Sequence, residues 1–442
     1  MKNFFILLTM KILHLGLKLA HKNGGNFLGK IAYDWNPNIF QYFKIDCPII
    51  AVTATNGKTM TNNAIGHVFK AAGKKVISNT EGNNMETGIL STLLKHCSLT
   101  GKIKADYLVF EVDEGYVPVV FKDLKLDTFV ILDFFRDQLD RNGEVEALIL
   151  RIQDFLKTYT GNLVLNNDDP NVARLGQANP SNHNVYYFSA EKYAHATTQM
   201  KEAGEGKFCP FCNTRLTYDY YQYSHIGKFK CPNCNYGDNE IYQFATDIDL
   251  KNRTFTIDNV SYQTKFNSIY NIYNFVAVIT CCKLYQIDTK TLQKAVSTFV
   301  LNNGRLEELK INGIPTIINL AKNPTGCNVS LRILNEDDSQ KELLFVLNDN
   351  LADGRDVSWI WDINFDDLNH ISRIVTAGTR AYDIAIRIKT AGYEIAKIEP
   401  YLDLHEAVKS FYSTDVKKYV IANYTALQPT RNEILKLKKE NS

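Results

Sequence analysis

Cys209-Pro-Phe-Cys212 and Cys231-Pro-Asn-Cys234 stand eighteen residues apart, and nothing else in the chain restricts its fold as strongly. A two-residue spacer turns both thiolates of a pair toward one point, and a tetrahedral zinc ion takes two such pairs. The spacing predicts a zinc ribbon over about 204–237, with Cys209, Cys212, Cys231 and Cys234 as ligands. Four protein ligands leave no open position, so the ion is structural and the chemistry has to lie elsewhere. The competing reading is four ordinary buried thiols, but two Cys-Pro-x-Cys pairs within 26 residues argue against it.

At 442 residues the chain is too long for one core, so two or three domains are expected. A net charge of +2 argues against a nucleic-acid binder that depends on a basic face. Outside the ribbon, Cys47, Cys97, Cys281, Cys282 and Cys327 have no disulfide-like spacing, which points to a reducing, cytoplasmic compartment. The segment Met1–His21 is apolar, but Lys11 and Lys18 interrupt it and the run falls below the roughly 20 residues that span a bilayer. It reads as an amphipathic segment that either covers the following domain or grazes the inner face of the cytoplasmic membrane.

From Pro48 onward, apolar runs of strand length alternate with helical patterns. Pro48–Thr53, Lys75–Ser78, Asp106–Glu111, Thr128–Leu132, Asn162–Leu165 and Val185–Phe188 read as strands, and this alternation predicts a mostly parallel α/β sheet. Thr254–Ile257 and Val260–Gln263 suggest an antiparallel edge, followed by a helix from Asn271 to about Leu284. A second α/β series begins near Gly313, with strands at Thr316–Leu320, Leu343–Leu347, Arg373–Thr376 and Tyr419–Ala422.

Thr55-Asn56-Gly57-Lys58-Thr59 joins the first strand to the first helix, where backbone N–H groups can cradle a triphosphate. Lys58 would reach the β- and γ-phosphates, and Thr59 would hold Mg²⁺ through its hydroxyl. The full P-loop pattern fails because Val52 occupies its first glycine position, so an ordinary surface turn is the alternative. Glu111 closes the third strand on the edge that faces ligands in open α/β sheets, and its carboxylate suits Mg²⁺. Asp113 and Glu114, just beyond it, read more readily as a solvated acidic loop.

Thr55–Thr59, Leu165-Asn-Asn-Asp-Asp-Pro170, Asn271-Ile-Tyr-Asn274 and Gly304-Arg-Leu-Glu307 together resemble the Mur ligases, which use ATP to activate a carboxylate in peptidoglycan synthesis. The ribbon, Phe134–Arg141 and Asp353–Trp361 narrow the resemblance to the synthetase subunits that amidate lipid II. The resemblance implies a Mur ligase-type P-loop central domain over 46–305 with the ribbon inserted. It also implies a Rossmann-like, partner-binding α/β domain over 306–442, with residues 1–45 packed on the central domain. Asn56, Lys58, Thr59, Asn271 and Arg305 would bind ATP, and Glu111 and Thr59 would bind Mg²⁺. The reaction implied is amidation of the α-carboxyl of D-glutamate in lipid II, through an acyl phosphate, to give D-isoglutamine. Its ammonia would come from a GatD-type glutaminase in a heterodimer, with Asp356, or failing that Asp353, completing the partner's Cys-His-Asp triad.

Some positions depart from the family pattern. Ala54 and Met60 replace a glycine and a threonine; Asp133 and Gln138 stand where an asparagine and a metal-binding histidine are common, and Lys322 replaces a histidine. Two other functions stay open at this point. One is an amino-acid-adding ligase of the Mur or folylpolyglutamate type; the other is a non-catalytic zinc-ribbon protein with a degenerate P-loop.

Overall fold

The computed structural model describes residues 2–21, 24–79, 83–136, 144–200, 205–301, 306–365 and 368–440, so Gln138 and Arg305 fall outside the described residues. Two compact units form, one mainly from Met1–Phe134, Glu146–Gln199 and Glu205–Phe299, the other mainly from Val300–Ser442.

The first unit opens with helices α1 (Lys2–Leu19) and α2 (Phe27–Trp35) and then enters β1 (Ile49–Thr53), which is buried at every position. Continuous burial of an Ile-Ile-Ala-Val-Thr run is what a central parallel strand covered on both faces requires. α3 (Lys58–Ala71), β2 (Val76–Ser78), α4 (Glu86–His96), β3 (Tyr107–Glu111), α5 (Val117–Val120), β4 (Thr128–Ile131), α6 (Val145–Leu156) and β5 (Asn162–Asn166) follow in alternation. Next come α7 (Pro170–Ala173), β6 (Val185–Ala190), the ribbon hairpin β7 (Thr217–Tyr223) and β8 (Ile226–Lys230), and β9 (Ile241–Asp249). The unit closes with β10 (Thr254–Ile257), β11 (Val260–Gln263), α8 (Ile269–Leu284) and α9 (Thr289–Thr298).

The nine-stranded sheet has the order β11-β10-β9-β6-β5-β4-β1-β3-β2. It is parallel from β2 to β9, and β10 and β11 add the antiparallel edge that their alternating pattern predicts. After β1 the chain crosses to β2 at the edge, returns as β3 on one side of β1, and continues as β4 on the other. That reversal opens a crevice at the carboxyl end of β1, the usual ligand position in such sheets. α8 is buried almost all round, with Ile272, Phe275, Val276 and Ile279 fully enclosed.

In the second unit, β12 (Glu307–Ile311), β13 (Ile314–Leu320), β14 (Lys341–Val346), β15 (Ile371–Ala377), β16 (Ile398–Tyr401) and β17 (Lys417–Ala422) pair in the order β12-β13-β17-β14-β15-β16. The strand β12 is additional to the sequence expectation. It pairs antiparallel with β13 across Asn312 (φ 50°) and Gly313 (φ 89°), a two-residue turn that asparagine and glycine tolerate without strain. Helices α10 (Pro324–Asn335), α11 (Ala381–Thr390), α12 (Leu404–Phe411) and α13 (Tyr424–Glu440) complete the unit. Ile318, Leu344, Val375, Val420, Phe411 and Ile434 share one buried core, and Arg431 on α13 grips Glu307 on β12 with two 2.7 Å bonds.

Candidate active site

The turn 54–57 leaves β1 and delivers Lys58 and Thr59 to the first turn of α3. Gly57 carries φ +84°, and a Cβ there would lie 2.5 Å from Asn274 Oδ1, so this glycine is required both by conformation and by the close approach of α8. Asn274 Nδ2 also donates to Met60 Sδ at 3.4 Å, which ties α8 to the start of α3. Asp133, just past β4, holds the turn from the other side. Its backbone carbonyl accepts from Thr55 N at 3.0 Å, and its Oδ1 accepts from Asn56 N at 2.8 Å. With those two amides engaged, a phosphate would be met by the first amides of α3, which have no partner within the helix. Burial pushes the Asp133 carboxyl well above the usual range; the Asn56 N–H opposes the shift and the Asp169 charge adds to it.

Lys58 is buried and donates to Glu114 Oε1 at 3.0 Å and to the Ala54 carbonyl. Burial disfavours its charge, but the Glu114, Asp113 and Glu111 carboxylates outweigh that effect and raise its pKa. Glu114 therefore corrects a sequence expectation: it is a buried partner of Lys58 and no solvated loop residue. Asp113 caps the short 3-10 turn Glu114–Tyr116 by accepting from Gly115 N at 3.1 Å, and that turn folds Glu114 inward.

Glu111 ends β3 directly beside β1, paired in register with Val52. Asn79 fixes its backbone, accepting from Glu111 N at 2.8 Å and donating to Glu111 O at 2.7 Å. Its Oε1 accepts a 3.4 Å bond from Asn84, while its buried Oε2 has no hydrogen-bond partner. A buried carboxylate oxygen without a partner carries a desolvation penalty that a hard cation would relieve. Glu111 and the partly exposed Thr59 offer Mg²⁺ an all-oxygen donor set, so these residues fit the ion. Asn271 is buried on α8, and its Nδ2 donates to Ser268 Oγ at 2.7 Å.

The four ribbon sulfurs converge within 4.8 Å of one another, at 3.4 Å (Cys212–Cys231), 3.6 Å (Cys209–Cys234) and 3.9 Å (Cys212–Cys234). A tetrahedron with Zn–S bonds of about 2.3 Å has edges of about 3.8 Å, so the cluster has the size of a zinc site. The ribbon is anchored to the loop after β5. Gly227 N donates to Asp168 O at 2.9 Å, Asn239 Nδ2 to Asn167 Oδ1 at 2.9 Å, and the Tyr236 hydroxyl to Pro170 O.

His225, at the tip of the β7–β8 hairpin, is fully buried with Nε2 3.3 Å from Asp169 Oδ1. Asp169 Oδ2 accepts in turn from Phe134 N at 2.9 Å, one residue beyond Asp133. A chain of contacts thus runs from His225 on the hairpin through Asp169 and the 133–134 backbone to Asn56; its first link is a close charge approach, the later ones hydrogen bonds. Sequence reasoning missed it, although Asp169 lies within the quoted Asn-Asn-Asp-Asp-Pro stretch.

In the second unit the two candidate aspartates part company. Asp353 is buried and caps α13, accepting from Thr425 N at 2.8 Å and from the Thr425 hydroxyl. Asp356 is exposed; its Oδ1 accepts from Ser358 N at 2.8 Å, and the Ser358 hydroxyl and amide hold its carboxyl below the usual range. Nearby, Trp361 is 55% exposed under the Arg387 guanidinium, 5.8 Å from the ring centroid.

Two family models match the chain, the Mur ligase middle domain over residues 52–282 and the MurT ligase C-terminal domain over 320–427. The chain is 33% identical over 431 residues to the lipid II isoglutaminyl synthase (glutamine-hydrolyzing) subunit MurT of Staphylococcus aureus strain COL, covering 96% of each protein. It is 31% identical over 416 residues to the MurT subunit of Streptococcus pneumoniae R6, covering 91% of each. Among solved structures, a pseudomurein peptide ligase type C from Methanothermus fervidus aligns with TM-score 0.69 at 22% identity, over 91% of this chain and 81% of that one, and so shares the fold. The chain belongs to the Mur ligase family, in its MurT branch. It is an ATP-dependent ligase of the Mur type, with an α/β middle domain, a C-terminal α/β domain and a four-cysteine cluster sized for zinc.

Proposed function

We propose that this chain is the synthetase subunit of a lipid II isoglutaminyl synthase. It uses ATP to convert the α-carboxylate of the D-glutamate residue of lipid II into an acyl phosphate, which ammonia then opens to the amide of D-isoglutamine. The relatives' name, isoglutaminyl synthase, supports the amide product. The observation that carries the ATP half is the buried, partnerless Oε2 of Glu111 on the strand next to the Lys58 turn. Asn56, Lys58, Thr59 and Asn271 are assigned to ATP, and Arg305 joins them on the family resemblance alone.

A carboxylate resists nucleophiles because its charge repels them and its oxygen leaves badly. Transfer of the γ-phosphoryl group gives a mixed anhydride from which phosphate departs readily; the substrate carboxylate oxygen attacks phosphorus and ADP leaves. Lys58, released from Glu114, neutralises charge on the transferring group, and the α3 N-terminus holds the phosphates. Mg²⁺, when held by Glu111 and Thr59, supplies further charge neutralisation. Ammonia then attacks the acyl carbon, phosphate leaves with one carboxylate oxygen, and a proton is lost.

Ammonia is mostly ammonium near neutral pH, so a shielded supply is needed. Burial raises the thiol pKa of Cys97, Cys281, Cys282 and Cys327, and also that of the half-buried Cys47, which makes each a poor glutaminase nucleophile. A separate GatD-type glutaminase in a heterodimer fits that need and the word subunit in the relatives' names. The exposed Asp356 carboxylate is the better candidate to reach the partner's histidine, since Asp353 is committed to α13.

The test is reconstitution with a GatD-type glutaminase, lipid II, glutamine, ATP and Mg²⁺, read as ADP and amidated product. Asp356→Asn is expected to abolish glutamine-dependent amidation and to spare the reaction with ammonium chloride. Retained glutamine use in that variant removes Asp356 from the triad; free amino acids replacing glutamine as substrates would favour an amino-acid-adding ligase.

A further inference from the structure

We propose that the outward face of α1 docks on the surface of an anionic phospholipid bilayer. α1 is apolar on two sides. Ile6, Leu7 and Met10 are buried, and the helix packs on α2 and α4. On the opposite side, Phe4 (41% exposed), Leu8, Ile12 (63%), Leu15 (59%) and Leu19 (75%) follow a 4-4-3-4 spacing, with Phe5 (61%) beside them. At 3.6 residues per turn this spacing keeps the side chains in one stripe along about 23 Å of helix. Trp35 on α2, 49% exposed, adjoins Asn36, whose Nδ2 donates to Asn3 Oδ1 at 2.8 Å, so a further aromatic lies at the Phe4 end.

Charge selects the occupant. Residues 2–35 carry five lysines against one carboxylate, Asp34 beside Trp35. His14 reports the resulting field: burial lowers its pKa first, and the Lys95, Lys11, His96 and Lys18 charges lower it further. An apolar stripe flanked by lysines matches the acyl–headgroup boundary of an anionic leaflet. A second copy of the chain would bring the same lysines against these and be repelled. Among the described residues no helix is long and apolar enough to cross a membrane, so α1 would lie flat on the surface. The proposed lipid-linked substrate gives the contact its purpose, and only in that respect does this inference rest on the functional reading.

Flotation of the full chain with vesicles of phosphatidylcholine, alone or mixed with phosphatidylglycerol, tests the proposal without nucleotide or substrate. The wild type is expected to float with the anionic vesicles, more weakly as salt rises. Ile12→Glu/Leu15→Glu/Leu19→Glu should reduce partitioning at least about tenfold. The same variant should keep the unfolding temperature and the amidation of a short-chain, water-soluble lipid II analogue. Should the triple variant melt early, Leu19→Glu alone, at the most exposed position, gives the same reading. Equal flotation of wild type and variants, equal binding to both vesicle types, or a dimer in solution that the substitutions abolish would overturn the proposal. Failure of the functional reading would instead appear as wild-type protein that floats but does not amidate the soluble analogue with its partner.

Discussion

Lys58→Met, taken together with Glu114→Gln, separates what Lys58 does for the fold from the role proposed for it in the reaction. Lys58 Nζ and Glu114 Oε1 are 3.0 Å apart with side chains 9% and 6% exposed. At an effective dielectric of about 20, two unit charges at that distance attract by about 5 kcal/mol. Breaking a buried pair by removing one partner costs about 3–5 kcal/mol, because the other charge is left uncompensated. Here Glu111 and Asp113 add to the uncompensated charge. Lys58→Met should therefore lower the unfolding free energy by about 3–5 kcal/mol in urea titrations at neutral pH. Met fills the aliphatic volume, so the loss reports charge rather than a cavity. Lys58→Met/Glu114→Gln removes both charges and should regain more than half of that stability. ATP-dependent amidation should stay down by about 10²–10³-fold in both variants, since neither restores a cation for the transferring phosphoryl group. Stability that stays low in the double variant, or turnover near the wild-type rate in Lys58→Met, would refute the reasoning.

The ribbon path predicts a coupling between zinc and nucleotide. Removing zinc with a chelator, or replacing His225 with Ala, should loosen Asp169 and the 133–134 backbone and raise KM for ATP roughly fivefold, equivalent to about 1 kcal/mol; an unchanged KM in both cases would break the path. Asp168 supplies a pH signature: burial pushes its carboxyl up to about 6, against bonds from the Tyr273 and Ser189 hydroxyls that lower it. The folded state then holds this proton after the unfolded chain has released it. Between about pH 4 and 6 its contribution to stability falls as pH rises, by roughly 1–3 kcal/mol, and flattens above. Asp168→Asn should remove that part of the slope in urea titrations across this range.

Much of the nucleotide-side architecture was legible because its signals are local. A run such as Ile49–Thr53, without a charge and bounded by a glycine turn, has few alternatives to a buried parallel strand, and Gly57-Lys58-Thr59 at its carboxyl end fixes where anions would meet amides. The four-cysteine cluster was legible because its two spacers determine where the sulfurs point. Glu114 was not legible: its role depends on a 3-10 turn that carries it back to a lysine 56 residues earlier, and neighbouring acidic residues read as a loop. Asp353 and Asp356 have the same chemistry in sequence, and only the packing of α13 shows that one is a buried cap and the other faces solvent. The β12–β13 hairpin was within reach, since Asn312-Gly313 is a strong turn signal and Leu309 and Ile311 alternate with charged residues before it. The His225–Asp169 contact joins residues whose stretches read separately as ribbon and as strand end, and pattern alone does not bring them together.

The central claim, that ATP activates the lipid II carboxylate as an acyl phosphate, is tested most directly by isotope transfer. Lipid II carrying ¹⁸O in the D-glutamate α-carboxylate would be turned over with the partner glutaminase, glutamine and ATP, and the released phosphate analysed by mass spectrometry. One ¹⁸O atom per phosphate is expected, matching the amide formed. Amide accumulating while the phosphate carries no ¹⁸O would contradict the account.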